Sequence, residues 1–190
     1  MDMNPQRIGY FEISGDVIIP NTTNIDITIE AENIWIKGGS FKAGTTSNPF
    51  PKKLTIRLLG VQNATGFTVS PDLTGNKMFV NTGRLELIGV PPTTTWTRLT
   101  AFANKGATTL RVASTAGWKA GDQLGISPSF SAFNEYEKVT IVSVNSATNV
   151  TITPALQYAH FGDTVPTINK TYGVLDMRTG VAHLTRNIKI

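Results

Sequence analysis

Two histidines and the lack of cysteine limit the chemistry open to this chain. Without cysteine there is no disulfide, no thiol nucleophile and no thiolate metal ligand. His160 lies in the segment Tyr158 to Asp163, where the carboxylate of Asp163 could orient the imidazole as an acid, a base or a ligand. The alternative, which we favour, is a buried histidine bonded to a backbone carbonyl beside a loop.

Paired carboxylates are the second candidate for chemistry. Cleavage of a glycosidic bond uses two carboxyl groups held about 5 to 10 Å apart across that bond. Glu135 and Glu137 share one face if this segment is extended, because side chains in a strand repeat every two residues. The alternative, again the favoured one, pairs both glutamates with Lys138 or Arg111 on a solvated strand.

Arg186 could bind a sugar carboxylate through two nitrogens, or it could tie the last strand to Asp176. His160, Asp163, His183 and Arg186 would matter together only if the fold brought them to one cleft. We predict no catalytic residue, and the candidates for an enzyme would be His160, Asp163, Glu137 and Arg186.

Motifs of the common enzyme classes are absent. The sequence contains no HExxH pair, no Gly-x-Ser-x-Gly elbow, no glycine-rich phosphate loop and no D-x-D-x-D calcium loop. We therefore predict no bound metal and no cofactor. Trp35 and Trp96 could be exposed platforms for sugars, but tryptophan is more often a core residue and we expect that here.

The composition is typical of an all-β protein. Hydrophobic residues make up 40% of the chain and charged residues only 16%, while Thr, Ser, Asn and Gly are plentiful. The net charge is +4, but the basic residues are scattered, so no nucleic-acid partner is expected. No leader and no apolar run of about 20 residues occurs, so this segment is expected to make no membrane contact.

Alternation of apolar and polar residues predicts strands along most of the chain. In the first half, Ile25 to Ile29, Ile34 to Ile36 and Leu54 to Leu58 alternate and are separated by glycines and Asn-Pro, which favours a solenoid of short parallel strands. In the second half, antiparallel strands are predicted at Thr109 to Val112, Gln123 to Ile126, Lys138 to Val144 and Asn149 to Thr153. Trp118 should cover their core, Gly121 and Asp122 should form a turn, and residues 161–178 should form a long loop.

A series of motifs in fixed order resembles a known family. The motifs are Ala31–Phe41, Ile56–Gly60, Gly83–Gly89, Thr95–Leu99, Trp118–Asp122 and Leu156–Gly162. They resemble the eight-glycine (G-eight) domain of the family that includes fibrocystin-L, the transmembrane hyaluronidase and the cell-migration-inducing hyaluronan-binding protein. The resemblance covers roughly residues 9 to 190.

The resemblance implies a right-handed parallel β-helix (solenoid) with an antiparallel β unit packed against it. We accordingly expect β-helix rungs in residues 1–94, the antiparallel unit in 95–163, and a loop and strand in 164–190 that lead into a further β-helix. The chain would then be a fragment of a larger protein. The resemblance also allows a calcium site.

The expected function is that of a non-catalytic extracellular module of a cell-surface or ciliary protein, giving structural support and recognising polysaccharide or another extracellular protein. The alternative within the family is part of a hyaluronan-binding protein or of an endo-acting hyaluronidase. Sequons at Asn21, Asn63, Asn149 and Asn169 agree with a glycoprotein, although a similar number arises by chance. A phage-like tail β-helix is a third interpretation.

Overall fold

The computed structural model describes residues 4–61, 67–70, 73–129, 133–163 and 176–190. In these residues the regular elements are all strands and none is a helix, which confirms the predicted all-β class. The described residues therefore include no helix able to cross a membrane. The chain divides into two compact units: unit 1 is Met1–Val90 with Arg186–Ile190, and unit 2 is Pro91–Thr185.

The strands are short, and most have three to six residues. In chain order they are β1 Ile8–Ile13, β2 Asp16–Ile19, β3 Ile27–Ile36, β4 Ser40–Ala43, β5 Leu54–Leu58, β6 Phe67–Ser70, β7 Leu73–Gly75, β8 Phe79–Asn81, β9 Arg84–Leu87, β10 Trp96–Arg98, β11 Thr109–Arg111, β12 Gln123–Ile126, β13 Glu137–Ser146, β14 Asn149–Thr153, β15 Gly180–His183 and β16 Ile188–Lys189.

Strands of unit 1 pair in parallel in two sheets. The first sheet has the order β1-β3-β5-β16, and β8 also pairs with the later part of β3. The second sheet has the order β2-β4-β9. Between β5 and β8 the chain forms the small antiparallel pair β6 and β7.

Glycines mark one corner of unit 1, because Gly15, Gly39 and Gly83 immediately precede β2, β4 and β9. The N–H of Ser40 donates to the carbonyl of Gly15 at 3.0 Å, and the N–H of Arg84 donates to that of Gly39 at 2.9 Å. A Cβ on Gly39 would overlap the Gly15 carbonyl, and one on Gly83 would overlap the Gly39 carbonyl. The strands can follow one another at hydrogen-bond distance here because the corner carries no side chain.

Isoleucines dominate the core of unit 1. Ile27, Ile29 and Ala31 of β3 are fully buried and alternate with more exposed residues. The inward positions then shift by one residue to Ile34 and Ile36, where the neighbour of β3 changes from β5 to β8. Each fully buried aliphatic side chain of this size contributes about 1.5 to 3 kcal/mol of transfer free energy.

The last described residues return to unit 1. Asn187 donates from Nδ2 to the carbonyls of Phe50 and Lys52 at 2.7 and 2.8 Å. Its own carbonyl accepts the N–H of Leu54 at 2.8 Å. These bonds place β16 beside β5, so unit 2 lies in the sequence between two strands of unit 1.

Unit 2 is one antiparallel sheet with the order β10-β15-β12-β13-β14-β11. Leu99 and Val112, just after the two outer strands, form an antiparallel bridge. The sheet therefore curls until its outer strands meet. The four strands predicted for this half are present as β11 to β14, and their antiparallel pairing is confirmed.

Trp118 packs in the core of unit 2, as predicted, with 6% of its surface exposed. Its Nε1 donates to the carbonyl of Thr94 at 2.7 Å. The predicted turn at Gly121 and Asp122 is also confirmed: Gly121 has φ of +87°, and Oδ2 of Asp122 accepts the N–H of Lys119 at 2.9 Å. Most of the predicted loop at 161–178 lies outside the described residues.

Candidate functional site

A buried pair of a glutamate and a histidine lies in unit 2. Nε2 of His160 is 2.9 Å from Oε1 of Glu137, and the two side chains are 0% and 6% exposed. Nδ1 of His160 is 3.1 Å from the carbonyl oxygen of Ser127. Both ring nitrogens thus face protein oxygens.

The Glu137 carboxylate also accepts two backbone N–H groups. Gln157 donates to Oε2 at 2.7 Å, and Tyr158 donates to Oε1 at 3.0 Å. Burial raises the pKa of Glu137, but the hydrogen bonds from Gln157, His160 and Tyr158 outweigh it, so that the pKa lies below its usual value. The pair therefore ties the segment around Tyr158 to β13.

Acid is expected to weaken this tie. A carboxyl group whose pKa is lowered by folding stabilises the protein above its unfolded-state pKa, and this contribution is lost as the pH falls through the folded-state pKa. We expect the difference in unfolding free energy between the wild type and Glu137→Gln to shrink as the pH falls below 4.5, the ordinary value for this group. Urea titrations of both proteins at several pH values measure it.

Comparison with Glu137→Gln is needed because Glu12, Asp16 and Asp176 also have lowered pKa values, each mainly through a hydrogen bond from a neighbouring side chain. Their contribution is the same in both proteins and cancels in the difference. A difference that stays constant down to the acid limit would show that the Glu137 carboxylate is not the titrating group.

His183 takes part in a second buried contact with a carboxylate. Its Nε2 lies 3.0 Å from Oδ2 of Asp122, with side-chain exposures of 3% and 4%. The His183 ring also packs against Trp118, with ring centroids 5.9 Å apart. Asp122 is the same residue that closes the turn before β12, so this contact joins β15, the turn and the core.

The sequence-predicted candidates are only partly brought together. His160 is buried and bonded to a backbone carbonyl, as we expected, but its carboxylate partner is Glu137, and Asp163 is exposed. The interpretation of Glu137 as a solvated partner of Lys138 or Arg111 is wrong: it occupies an inward position of β13, in register with buried Ile126.

Arg186 belongs to unit 1, whereas the two histidines belong to unit 2. The carboxylate of Asp176 is bound by Arg178 at 2.9 Å and lies 3.4 Å from Nε of Arg98. Among the described residues no group of three acidic or histidine side chains could hold a metal ion.

Trp96 is 55% exposed, so the expectation that it is a core residue is wrong. Its indole lies beside the guanidinium of Arg98, with Cζ 5.0 Å from the ring centroid. Nη1 of Arg98 donates to the carbonyl of Arg178 at 2.7 Å. The cation and the ring are thereby held in one geometry on the outside of β10.

Small residues surround Trp96 on the outer face of the sheet. Trp96 pairs with Ala182, Ala182 with Gly125, and Gly125 with Lys138. Directly paired residues point to the same face of a sheet, so this row has an aromatic ring at one end and a cation at the other. With strands about 4.8 Å apart, the row spans about 14 Å.

Trp35 is half-buried in unit 1. Its Nε1 donates to Oγ1 of Thr82 at 3.0 Å, and Nζ of Lys37 lies 4.8 Å from its ring.

Two of the four sequons lie in the described residues. Nδ2 of Asn21 donates to the carbonyl of Asn48, and Asn149 lies in β14; Asn63 and Asn169 lie outside the described residues.

These features define an all-β module with two units, in which the buried histidines and acids stabilise the fold and the exposed aromatic lies on a sheet face. The chain belongs to the G8 domain family, whose model matches residues 1–100. The predicted resemblance to this family is confirmed.

Large proteins of this family are similar to the chain. It is 37% identical to fibrocystin-L of Mus musculus, with 100% of this chain covered, and 37% identical to fibrocystin-L of Homo sapiens, with 87% covered. Fibrocystin of Canis lupus familiaris is 29% identical over 82% of the chain. The chain spans only 4% of the length of each of these proteins.

Among solved structures, the chain is weakly similar to the tailspike of Acinetobacter baumannii bacteriophage AP22 in complex with A. baumannii capsular saccharide. The match covers 96% of this chain and 22% of the tailspike, with 13% identity and a TM-score of 0.37.

Proposed function

We propose that the chain is a non-catalytic G8 module of a larger extracellular or cell-surface protein, where it gives structural support and binds carbohydrate. In this proposal unit 1 forms the first turns of a right-handed parallel β-helix. The parallel pairing of β1, β3, β5 and β16 supports it, as does the glycine corner that allows the strands to stack. The relatives are long enough to supply further turns.

The observation that carries the binding role is the Trp96 face of unit 2. An indole presents a large apolar surface at low conformational cost, which suits stacking on a sugar ring. The Trp96 indole lies over Gly180 and the Leu184 side chain lies over Gly125. Both side chains are exposed, so a sugar chain on this face would contact an aromatic ring and an aliphatic group. The Arg98 contacts hold the indole before the ligand arrives, which reduces the ordering cost of binding.

Buried histidines support a non-catalytic role. His160 is 0% exposed and has both ring nitrogens in contact with protein oxygens, so it cannot reach a substrate without local unfolding. Glu137 is held as an ionised acceptor by its hydrogen bonds, whereas an acid catalyst of glycoside cleavage must be kept protonated.

The enzymatic alternative within the family is tested directly. High-molecular-weight hyaluronan is incubated with this chain and with the longer parent protein, with and without calcium, and the products are sized. We expect no shortening by this chain. Shortening that Glu137→Gln abolishes, in a protein that remains folded, would replace our proposal by the enzymatic one.

Replacing Trp96 by alanine is expected to weaken carbohydrate binding about 5- to 150-fold, because loss of one stacked aromatic ring removes about 1 to 3 kcal/mol of binding free energy. A panel of neutral and anionic oligosaccharides is titrated against the wild type, and the strongest ligand is then measured with Trp96→Ala by calorimetry. The unfolding free energy should change little, since the side chain is largely exposed.

Phe133→Ala is the matched control, because Phe133 is an exposed aromatic of unit 2 that lies outside the strands of the sheet. It should leave the affinity unchanged. Equal losses in both variants would point to non-specific aromatic contact. Binding of a protein partner with no sugar binding would replace carbohydrate by protein as the ligand of this face.

A further inference from the structure

A polar groove lies where the sheet of unit 2 closes. Its volume is about 520 Å³, within the range of small-molecule sites. The bridge between Leu99 and Val112 and the N–H of Thr100, which donates to the carbonyl of Arg111 at 2.9 Å, form the seam beneath it. The lining residues are Thr100, Arg111, Val112, Ala113, Ser146, Thr148 and Asn149.

The groove has one charge and an unsatisfied acceptor. Arg111 is the single charged residue of the lining, and its exposed guanidinium makes no hydrogen bond or ion pair with the described residues. Asn149 is paired directly with Arg111 across the strands. Its Oδ1 is buried and has no hydrogen-bond partner among the described residues, which costs free energy until a donor arrives.

We propose that this groove binds a sulfated sugar. Guanidinium and hydroxyl groups from Arg111, Thr100, Ser146 and Thr148 offer donors from several directions, which suits the three outer oxygens of a sulfate ester better than a planar carboxylate. Asn149 is only partly buried as a residue, so rotation of its side chain on binding would bring Oδ1 to a sugar hydroxyl. The exposed methyl group of Ala113 supplies apolar contact for the C–H groups of the ring, whereas the Val112 side chain is buried in the core beneath the groove.

The groove shares no lining residue with the Trp96 face, but the two adjoin at the seam. The N–H of Ala113 in the lining donates to the carbonyl of Arg98 at 3.0 Å. The inference goes beyond the proposed function, and either can fail alone. Trp96→Ala should leave the groove affinity intact, and variants of Arg111 should leave the Trp96 ligand bound.

The experiment is a titration followed by amide chemical shifts, with the chain produced in bacteria so that Asn149 carries no glycan. The probes are galactose 6-sulfate, galactose, glucuronate and inorganic sulfate. We expect galactose 6-sulfate to bind most tightly and to shift the amides of Arg111, Thr148 and Asn149. Equal affinity for galactose or for glucuronate would overturn the sulfate assignment, and equal affinity for inorganic sulfate would overturn the sugar assignment.

Two variants test the residues. Arg111→Gln should lower the affinity for galactose 6-sulfate at least about tenfold, because a charge-assisted hydrogen bond is removed. Asn149→Asp keeps the side-chain shape and should also weaken binding at least about tenfold, because it places a negative charge beside the sulfate. Arg57→Gln removes the same charge from an exposed site of unit 1 and should have no effect. Equal losses of affinity in Arg57→Gln and Arg111→Gln would show that binding depends only on the net charge of the chain, and this would overturn the proposal.

Discussion

Glu137→Ala is expected to lower the free energy of unfolding of unit 2 by about 3 kcal/mol or more. It leaves the backbone N–H groups of Gln157 and Tyr158 and one ring nitrogen of His160 without their partner, and each buried unsatisfied polar group costs about 1 to 3 kcal/mol. Urea denaturation measures the loss. Amide hydrogen exchange locates it, because the N–H of His160, bonded to the carbonyl of Ala103 at 2.8 Å, should lose protection while β3 keeps it.

Glu86→Ala is the control for this substitution. Glu86 pairs with Arg84 at 3.0 Å, but the two side chains are 35% and 67% exposed, and such surface pairs contribute only about 0 to 1 kcal/mol. His160→Ala and Glu137→Ala should not be additive, because each breaks the same pair. Additive losses, or a loss no larger than that of Glu86→Ala, would contradict a buried tie between β13 and the segment around Tyr158.

Local alternation predicts the strands well but not their partners. The inward direction of Glu137 is visible in the sequence, because it shares its parity with Val139 and Ile141. Its partner His160 lies 23 residues further along the chain, and no local pattern indicates which strand end meets which loop. The residue type of Glu137 therefore predicts a solvated side chain, although its position in the alternation predicts a buried one.

Trp96 is the opposite case: its residue type predicts a buried side chain, but the side chain is exposed. Thr97 and Leu99 are buried, so Trp96 and Arg98 must point outward from a strand. Residue type alone favours the core for tryptophan, whereas the parity of its neighbours favours the surface, and the parity decides. The Trp-x-Arg spacing is the signal that would have revealed the pair, since residues two apart in a strand share a face.

Pairings over long sequence distances are the least accessible to sequence analysis. Asn187 donates to the carbonyl of Phe50, 137 residues earlier, and this bond sets β16 beside β5. All of unit 2 lies in the sequence between β9 and β16. Alternation is a property of neighbouring residues, so it predicts that β16 is a strand but carries no information about which edge receives it.

Gly39→Ala is expected to lower the free energy of unfolding of unit 1 by at least about 2 kcal/mol. The added Cβ would overlap the carbonyl of Gly15 and lie 2.7 Å from that of Ile13, both backbone atoms that cannot rotate away. Relief requires β4 to move from β2, which breaks the bond from the N–H of Ser40 to the carbonyl of Gly15. Hydrogen exchange should therefore accelerate in β2, β4 and β9 and remain unchanged in unit 2.

Gly15→Ala is the matched control at the same corner. A Cβ on Gly15 would have no atom within 4 Å, and its φ is not positive. This variant should be neutral or more stable by about 0.4 to 1 kcal/mol, because alanine restricts the unfolded chain more than glycine does. Gly83→Ala should match Gly39→Ala, since its Cβ would overlap the Gly39 carbonyl. If all three variants were equally stable, close stacking of successive strands would not be the reason for glycine at this corner, and the proposal that unit 1 begins a β-helix would lose its main physical support.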